Sequence, residues 1–187
     1  MDTPTKYLGG NALNLFPMSD FVKDKKDLFH SMGRKEEKMK VVLQRVSSAK
    51  VTSDGDLLGQ IGRGFLLLVG IAESDGEEDI DYCAKKIAKV RLFEDSEGKT
   101  NLDLQAIQGE ILSVSQFSLL ASTKKGNRPS FLGAGDPEHA KSLYLQFNKK
   151  LEEAGYKVET GRFGADMQVE LVNDGPMTIL YDSKNRQ

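Results

Sequence analysis

Short β-rich runs of apolar residues, separated by turn residues, predict about seven strands in this chain. The runs cover residues 40–53, 57–61, 65–71, 110–117, 156–160, 167–173 and 177–181. The third run is apolar throughout, as expected of a strand that is buried on both faces. Hairpin signals between the early runs, and a helical segment between later ones, indicate a mixed sheet that curls toward a barrel.

Two further segments carry apolar residues at helical spacing and predict the main helices. The first follows the capping-box spacing of Ser74 and Glu77, and the second follows Asp136, an N-cap residue with proline at the next position. Gly155 ends the second helix. The polar stretch 94–103 predicts a loop. The sequence therefore predicts an α/β fold class, with one domain, a barrel-like mixed sheet and two main helices.

The first 38 residues differ from the rest of the chain, because glycine, asparagine and proline interrupt any period there and mixed charge runs follow. We expect residues 1–38 to be a poorly ordered N-terminal extension, either a tag or a lineage-specific segment. Acidic residues within it argue against a transit peptide. The domain itself is expected over residues 39–182, with a short tail at 183–187.

Composition limits the chemistry that the chain can carry out. With 39% hydrophobic and 29% charged residues and no apolar run of membrane-spanning length, the chain fits a soluble protein. Its net charge of −2 argues against indiscriminate nucleic-acid binding. The single cysteine excludes an internal disulfide and favours a reducing compartment, so a cytoplasmic protein is expected. One cysteine and two histidines are too few for the usual metal clusters, so we expect no metal and no cofactor.

Two stretches are candidate sites on their residues alone. Ser115-Gln116-Phe117-Ser118 lies at the end of a predicted buried strand, where hydroxyls, an amide and backbone N–H groups meet a loop. Taken alone, such a stretch is more often an ordinary strand terminus. Gly175-Pro176 interrupts two apolar runs and, taken alone, indicates a hairpin turn. A serine nucleophile would need a general base, and neither His30 nor His139 fits a triad convincingly.

Several ordered motifs make residues 39–182 similar to the D-aminoacyl-tRNA deacylase family. Two signatures of that family are Ser-Gln-Phe-Thr-Leu and Asn-x-Gly-Pro-x-Thr. They are matched by Ser115-Gln116-Phe117-Ser118-Leu119, with serine in place of the usual threonine, and by Asn173-Asp174-Gly175-Pro176-Met177-Thr178. Further matches are Leu43-Gln44-Arg45-Val46, the loop Arg128-Pro129-Ser130-Phe131 and residues 160–167.

The resemblance implies a homodimer that hydrolyses the ester between a D-amino acid and the 3′-terminal adenosine of tRNA, a chiral proofreading step in translation. It implies a cis Gly175–Pro176 peptide that reaches into the partner's site and leaves no room for an L side chain. Arg45 is expected to hold that loop, and Met167 to contribute to the substrate site. Because glycine has no side chain to exclude, activity on glycyl-tRNA is also expected.

The same resemblance implies that Ser115, Gln116 and Phe117 surround the scissile carbonyl, with Ser118 as a further catalytic position. Backbone N–H groups there would polarise the carbonyl. The 2′-hydroxyl of the terminal ribose, rather than a protein nucleophile, is expected to assist the reaction.

Lys124, Lys125 and Arg128 form an exposed basic loop, which is either a solvated turn or a contact to tRNA phosphates. Two alternatives to a D-aminoacyl-tRNA deacylase remain open. One is a paralogue that edits a different aminoacyl-tRNA, and the other is a non-catalytic RNA-end binding module. Intact Ser115, Gln116 and Gly175-Pro176 count against the binding module.

Overall fold

Eight strands and two helices form the part of the chain that the structure describes. This computed structural model describes residues 37–124 and 126–186. The strands are β1 (Lys40–Ser53), β2 (Asp56–Ile61), β3 (Gly64–Gly70), β4 (Arg91–Glu94), β5 (Thr100–Asp103), β6 (Glu110–Ser115), β7 (Val158–Thr160) and β8 (Gln168–Asp182). The helices are α1 (Glu77–Lys89) and α2 (Pro137–Glu153), and a short 3₁₀ helix spans Phe117–Leu120. The predicted extension over residues 1–38 lies outside the described residues, except for its last two. No helix within the described ranges is long and apolar enough to span a membrane.

Strand β1 is the centre of a curled mixed sheet. It pairs antiparallel with β2, β3 and β8. Strand β6 adds parallel to β3, and β7 adds parallel to β6. The sheet nearly closes because β2 returns to β6 and β7: a Cβ atom on Gly59 would lie 3.2 Å from both Leu112 Cδ1 and Thr160 O. The predicted α/β domain with a barrel-like mixed sheet and two helices is confirmed.

Each face of the curled sheet buries its own apolar cluster. The outer face packs against the helices. Helix α2 contributes Leu143, Phe147 and Leu151 to this outer cluster. Leu66 and Leu112 belong to the inner cluster. Full burial of such a side chain contributes about 1.5–3 kcal/mol. The apolar faces that helical spacing predicted therefore hold the outer side of the sheet.

The start of α1 differs from the prediction. Gly76 is the N-cap residue, and its backbone N–H donates to Asp79 Oδ2 at 3.0 Å. Ser74 lies before the helix, where its hydroxyl donates to Glu37 O at 2.9 Å. The predicted capping box at Ser74 and Glu77 is therefore wrong, because the serine ties the segment before β1 to the start of the helix.

A β-hairpin of β4 and β5 occupies most of the stretch 94–103 that was predicted as a loop. Asp95 closes its turn, because one carboxylate oxygen accepts the N–H groups of Glu97 at 2.9 Å and Lys99 at 3.0 Å. Each strand has only 4 residues. A pattern that short carries too few alternations to be distinguished from a polar loop.

Candidate active site

Strand β8 runs as one strand of 15 residues through Gly175–Pro176. Both of its halves pair with β1: Thr178 faces Gln44, and Asn173 faces Val46. The predicted hairpin turn between two separate strands is therefore wrong. The reason is the length of β1, whose 14 residues are enough to pair with both halves.

Four residues of β8 bulge out opposite the single residue Arg45. We call Asp174–Met177 the Gly-Pro bulge. The Gly175–Pro176 peptide is cis, and both residues are exposed. Extra residues in a bulge leave the ladder of sheet hydrogen bonds. The tip of this bulge therefore presents main chain and a proline ring, with no reactive side chain.

Arg45 holds the base of the Gly-Pro bulge from the core side. Its Nε donates to Asp174 O at 2.9 Å and lies 3.4 Å from Asp174 Oδ2, while Nη1 donates to Leu92 O at 2.5 Å. The residue is only 7% exposed, and its Cζ lies 6.0 Å from the Phe93 ring centroid. A buried cation needs such acceptors, and each is a strong hydrogen bond. Arg45 thereby fixes the bulge relative to β4.

Asn173 and Thr178 close the bulge at its two ends. Asn173 Oδ1 accepts the backbone N–H of Met177 at 2.7 Å, and its Nδ2 donates to Thr178 Oγ1 at 3.2 Å. Gln44 Nε2 also donates to that hydroxyl, at 3.4 Å. Sequence reasoning placed Asn173 and Thr178 in a motif but gave them no role. The motif singled out both residues, but their hydrogen bonds depend on the register between β1 and β8 and could not be predicted from the motif alone.

Gly175 is required by its conformation and by its neighbour. Its φ is +129°, a region that residues with a Cβ rarely adopt. A Cβ atom would also lie 2.8 Å from Arg45 Nη2. Any larger residue would have to displace the same guanidinium that anchors the bulge.

The second part of the candidate site lies where β6 ends. Gln116 N–H donates to Val69 O at 2.7 Å, and its side-chain Nε2 donates to Ser118 Oγ at 2.5 Å. Within residues 37–124 and 126–186, no hydrogen-bond acceptor takes the backbone N–H of Phe117 or Ser118. Both residues are exposed, whereas Ser115 is half-buried. Two adjacent N–H groups of this kind can stabilise an oxyanion.

An exposed aromatic pair lies beside these N–H groups. Phe117 is 59% exposed and Phe131 is 41% exposed. Their ring centroids are 5.0 Å apart in an edge-to-face arrangement. Aromatic side chains left in solvent at a strand end offer a stacking surface for a nucleobase.

No described side chain near the strand end of β6 is set up as a general base. The hydroxyl of Ser118 accepts a hydrogen bond from the side-chain amide of Gln116. His139 lies at the start of α2, where its Nε2 is 3.2 Å from Asp75 O. Cys83 is buried, and burial raises its pKa to about 12, so its thiolate is not available. No group of three or more His, Cys, Asp or Glu in the described ranges is arranged to hold a metal ion.

The Gly-Pro bulge and the strand end of β6 do not meet within one chain. Ser115 pairs with Val69, and Val69 pairs with Val41, which lies four residues from Arg45 along β1. Three strand spacings, from β8 through β1 and β3, separate the bulge from β6. At about 3.3 Å per residue and about 4.8 Å per strand, the two parts lie about 20 Å apart over the sheet.

Met167 lies on the β6 side of this separation. It is half-buried, packs against the inner cluster and places its sulfur over Gly161. The N–H of Gly161 donates to Ser113 O at 3.2 Å, two residues before Ser115. Met167 therefore accompanies the strand end of β6, while Arg45 and Gly175–Pro176 form a separate group.

The basic loop is tied at its base by Ser122 and Ser130, which exchange two backbone hydrogen bonds of 2.8 and 2.9 Å. Lys124 and Arg128 are exposed within it. Because the aromatic pair includes the residue that follows Ser130, the loop lies next to that pair. Lys125, the third predicted tRNA contact, lies outside the described residues.

Comparisons with known sequences agree with these motifs. The family model described as D-Tyr-tRNA(Tyr) deacylase matches residues 42–182. A D-aminoacyl-tRNA deacylase of Lactobacillus gasseri is 59% identical over 144 residues, which cover 77% of this chain and 99% of that protein. A D-aminoacyl-tRNA deacylase of Lactobacillus acidophilus is 60% identical over 144 residues, with the same coverage of 77% and 99%.

Comparisons with solved structures agree with the fold. The c-Myc DNA Unwinding Element Binding Protein matches with a TM-score of 0.71 and 40% identity, over 76% of this chain and 97% of that one. A probable eukaryotic D-amino acid tRNA deacylase matches with a TM-score of 0.68, over 77% of this chain and 98% of that one. At 17% identity, the second match concerns the fold alone.

Proposed function

This chain belongs to the D-Tyr-tRNA(Tyr) deacylase family, and we propose that it hydrolyses the ester bond of D-aminoacyl-tRNA as a proofreading step in translation. Water adds to the ester carbonyl, and the bond to the ribose oxygen of the terminal adenosine breaks. That oxygen takes up a proton, so free D-amino acid and tRNA are released. The Gly-Pro bulge is the observation that carries the proposal, because its tip is a clamped main-chain projection without a reactive side chain.

We assign the groups around the scissile carbonyl to the strand end of β6. The N–H groups of Phe117 and Ser118 would donate to the carbonyl oxygen as it gains negative charge. Removing one such donor costs roughly 2.7–4 kcal/mol in enzymes that depend on it. Gln116 holds the Ser118 hydroxyl through the bond of 2.5 Å. We assign the proton transfer to the 2′-hydroxyl of the terminal ribose, which lies next to the ester.

The neighbouring surface suits the end of a tRNA. The terminal adenine would stack on the Phe117–Phe131 pair, since an aromatic surface accepts any base. Lys124 and Arg128 would then contact phosphates close to the 3′ end. Such a substrate is expected in the cytoplasm, where translation takes place.

Selectivity for the D configuration would come from the Gly-Pro bulge. Main-chain atoms at its tip would bind the substrate amino group and occupy the space that an L side chain needs. The clamp by Arg45 and Asn173 makes this wall rigid, and rigidity is what exclusion by shape requires. Glycine lacks a side chain, so the same wall would admit glycyl-tRNA.

The separation of about 20 Å between the bulge and the strand end of β6 supports a site shared between two subunits. We propose a homodimer in which the bulge of one subunit enters the site of its partner. Mixing two inactive variants tests this arrangement. Gly175→Ala damages the bulge, because its Cβ would lie 2.8 Å from Arg45 Nη2, and Gln116→Ala damages the strand end.

A mixed dimer of these variants contains one undamaged strand end in one subunit and one undamaged bulge in the other. We expect each variant alone to be strongly impaired and the mixture to recover activity after the subunits exchange. If exchange is verified by mass spectrometry and the mixture remains as inactive as its components, the shared site is wrong. An intact bulge acting within its own chain could not produce recovery.

Hydrolysis of matched D-tyrosyl-, L-tyrosyl- and glycyl-tRNA tests the activity itself. We expect release from the D and glycyl substrates and little from the L substrate. Equal rates on the D and L substrates would contradict chiral proofreading. Binding of all three without release would instead support an RNA-end binding module.

A further inference from the structure

A basic groove lies between α1 and the end of β8, apart from the site described above. Its volume is about 570 Å³. It is lined by Tyr82, Lys85, Lys86, Lys89, Val90 and Tyr181. Three of these six residues are lysines on the C-terminal half of α1, and Lys85 and Lys89 are exposed.

The positive charge of this groove is only partly explained by the helix. Lysines in the last turn interact favourably with the helix dipole, which accounts for a small part of their placement. Asp81, one helical turn before Lys85, forms an ion pair of 2.6 Å with Lys150 of α2. The hydrogen bond from Lys150, together with the charges of Lys150 and Lys85, lowers the pKa of Asp81. Lys89 forms no hydrogen bond or ion pair with any residue in the described ranges. Lys89 therefore remains able to attract an anion.

Two tyrosines give the groove an aromatic side. Lys86 Nζ lies 5.8 Å from the ring centroid of Tyr82, and Arg186 Cζ lies 5.1 Å from the same centroid. Tyr181 is half-buried, and burial raises its pKa to about 12, so its hydroxyl stays a neutral donor at physiological pH. Cations combined with neutral hydroxyl donors suit the oxygens of a phosphate better than they suit an apolar ligand.

The groove is connected to the Gly-Pro bulge through β8 and through β4. Tyr181 lies five residues beyond Pro176 on β8, a distance of about 17 Å at about 3.3 Å per residue. On the other side, Val90 precedes Leu92 by two residues, and the carbonyl of Leu92 accepts a hydrogen bond from Arg45. An RNA strand whose last nucleotide meets the bulge continues over the neighbouring surface, and this groove is a surface with three lysines about 17 Å away along β8.

We propose that the groove binds the sugar-phosphate backbone of the tRNA acceptor arm whose 3′ end lies in the partner's site. The proposal rests on the proposed function, since it requires a tRNA substrate and a bulge that acts on a second subunit. Binding would be independent of base sequence, because lysine ammonium groups read charge and position only. It adds a second contact region to the one assigned to Lys124 and Arg128.

The double variant Lys85→Gln/Lys89→Gln tests the groove, and Lys141→Gln/Lys149→Gln on exposed positions of α2 is the matched control with the same change of charge. The affinity of the full chain for uncharged tRNA is measured over a series of salt concentrations. Each lost phosphate contact reduces the slope of log K against log salt by about 0.7–0.9. We expect a reduction of about 1.4–1.8 in the groove variant and wild-type slopes in the control. Lys85→Glu/Lys89→Glu should weaken binding further.

Three results separate the hypotheses. A groove variant with the slope and affinity of the control overturns the groove proposal, provided that its thermal midpoint shows a folded protein. Loss of inorganic-phosphate binding with an unchanged tRNA slope indicates a small-anion site and also overturns it. Failure of the unmodified protein to hydrolyse D-aminoacyl-tRNA contradicts the proposed function, and that result is established before the variants are compared.

Discussion

Replacing Arg45 by methionine measures how strongly the Gly-Pro bulge is held. The change removes hydrogen bonds from a buried cation to Asp174 O at 2.9 Å and to Leu92 O at 2.5 Å. Hydrogen bonds from charged groups contribute about 1.5–3 kcal/mol each. Both carbonyls would then face an apolar side chain without a donor. We expect the free energy of unfolding to fall by about 3–6 kcal/mol, the sum of two such hydrogen bonds.

Arg45→Lys separates anchoring from folding more sharply. The ammonium group keeps the charge but cannot bridge two carbonyls as the planar guanidinium does. Losing one charged hydrogen bond costs about 1.5–3 kcal/mol, which corresponds to a factor of about 10 to 140 in the population of the anchored bulge. We therefore expect the ratio of kcat/KM for D- over L-aminoacyl-tRNA to fall at least about tenfold, with the larger factor as the upper bound.

The assay is hydrolysis of D-tyrosyl- and L-tyrosyl-tRNA at a temperature below the unfolding midpoints of all variants. Arg63→Met is the matched control, because Arg63 Cζ lies 5.0 Å from the centroid of the same Phe93 ring. Arg63 makes no hydrogen bond to the bulge within the described ranges. If folded Arg45→Lys keeps the D/L ratio of the Arg63→Met control, the idea that Arg45 positions a selectivity wall is refuted.

Three further predictions concern other groups. Ser118→Ala should lower kcat several-fold without abolishing turnover, because the hydroxyl accepts a hydrogen bond from Gln116 at 2.5 Å and has no general base beside it. Complete loss of hydrolysis in single-turnover assays would instead show that the Ser118 hydroxyl is the nucleophile. Neutralising Lys124 and Arg128 to glutamine should raise KM at low salt and matter less as salt increases, and an unchanged KM at low salt would show a solvated turn. Burial raises the pKa of Asp75 from 3.8 to about 6, so the native state holds this proton more tightly than the unfolded chain. Its contribution to stability is complete below about pH 4 and is lost as the pH rises through about 6, by up to about 3 kcal/mol. Urea unfolding between pH 4 and 7 should show this fall in the unmodified protein and not in Asp75→Asn, and parallel curves would show that Asp75 is not responsible.

Patterns within one element predicted the helices well. The apolar face of α2 and its N-cap were both readable, and Asp136 accepts the N–H groups of Glu138 at 3.0 Å and His139 at 3.4 Å. Local spacing also gave the long strands at the centre of the sheet. It failed for α1, whose cap depends on Asp79 rather than Ser74, because several polar residues compete there for the same N–H groups.

The Gly-Pro bulge shows why the candidate site was only partly predictable. Glycine followed by proline gives the same local signal in a hairpin turn and in a bulge. The choice is made by β1, which pairs with both halves of β8, and Arg45 holds the resulting bulge through a hydrogen bond to the carbonyl of a residue 129 positions away. The roles of Asn173 and Thr178 likewise depend on which β1 residue each one faces. The family resemblance named the motif, but the geometry of the bulge required the sheet register.

The contacts that hold the bulge lie within its own chain, whereas the substrate site on which it would act lies on a second subunit. Its clamp consists of Arg45, Asn173 and the glycine at 175, all within its own chain. The bulge lies about 20 Å from the strand end of β6 of that chain, measured over the sheet. A wall that must reject one enantiomer has to be rigid before the substrate arrives, and a site shared across a dimer allows the clamp to be complete without occupying the substrate's space. The distance between the two parts therefore supports the proposed selectivity, because the buried guanidinium can stabilise the wall from behind while only main chain and the proline ring would face a second subunit.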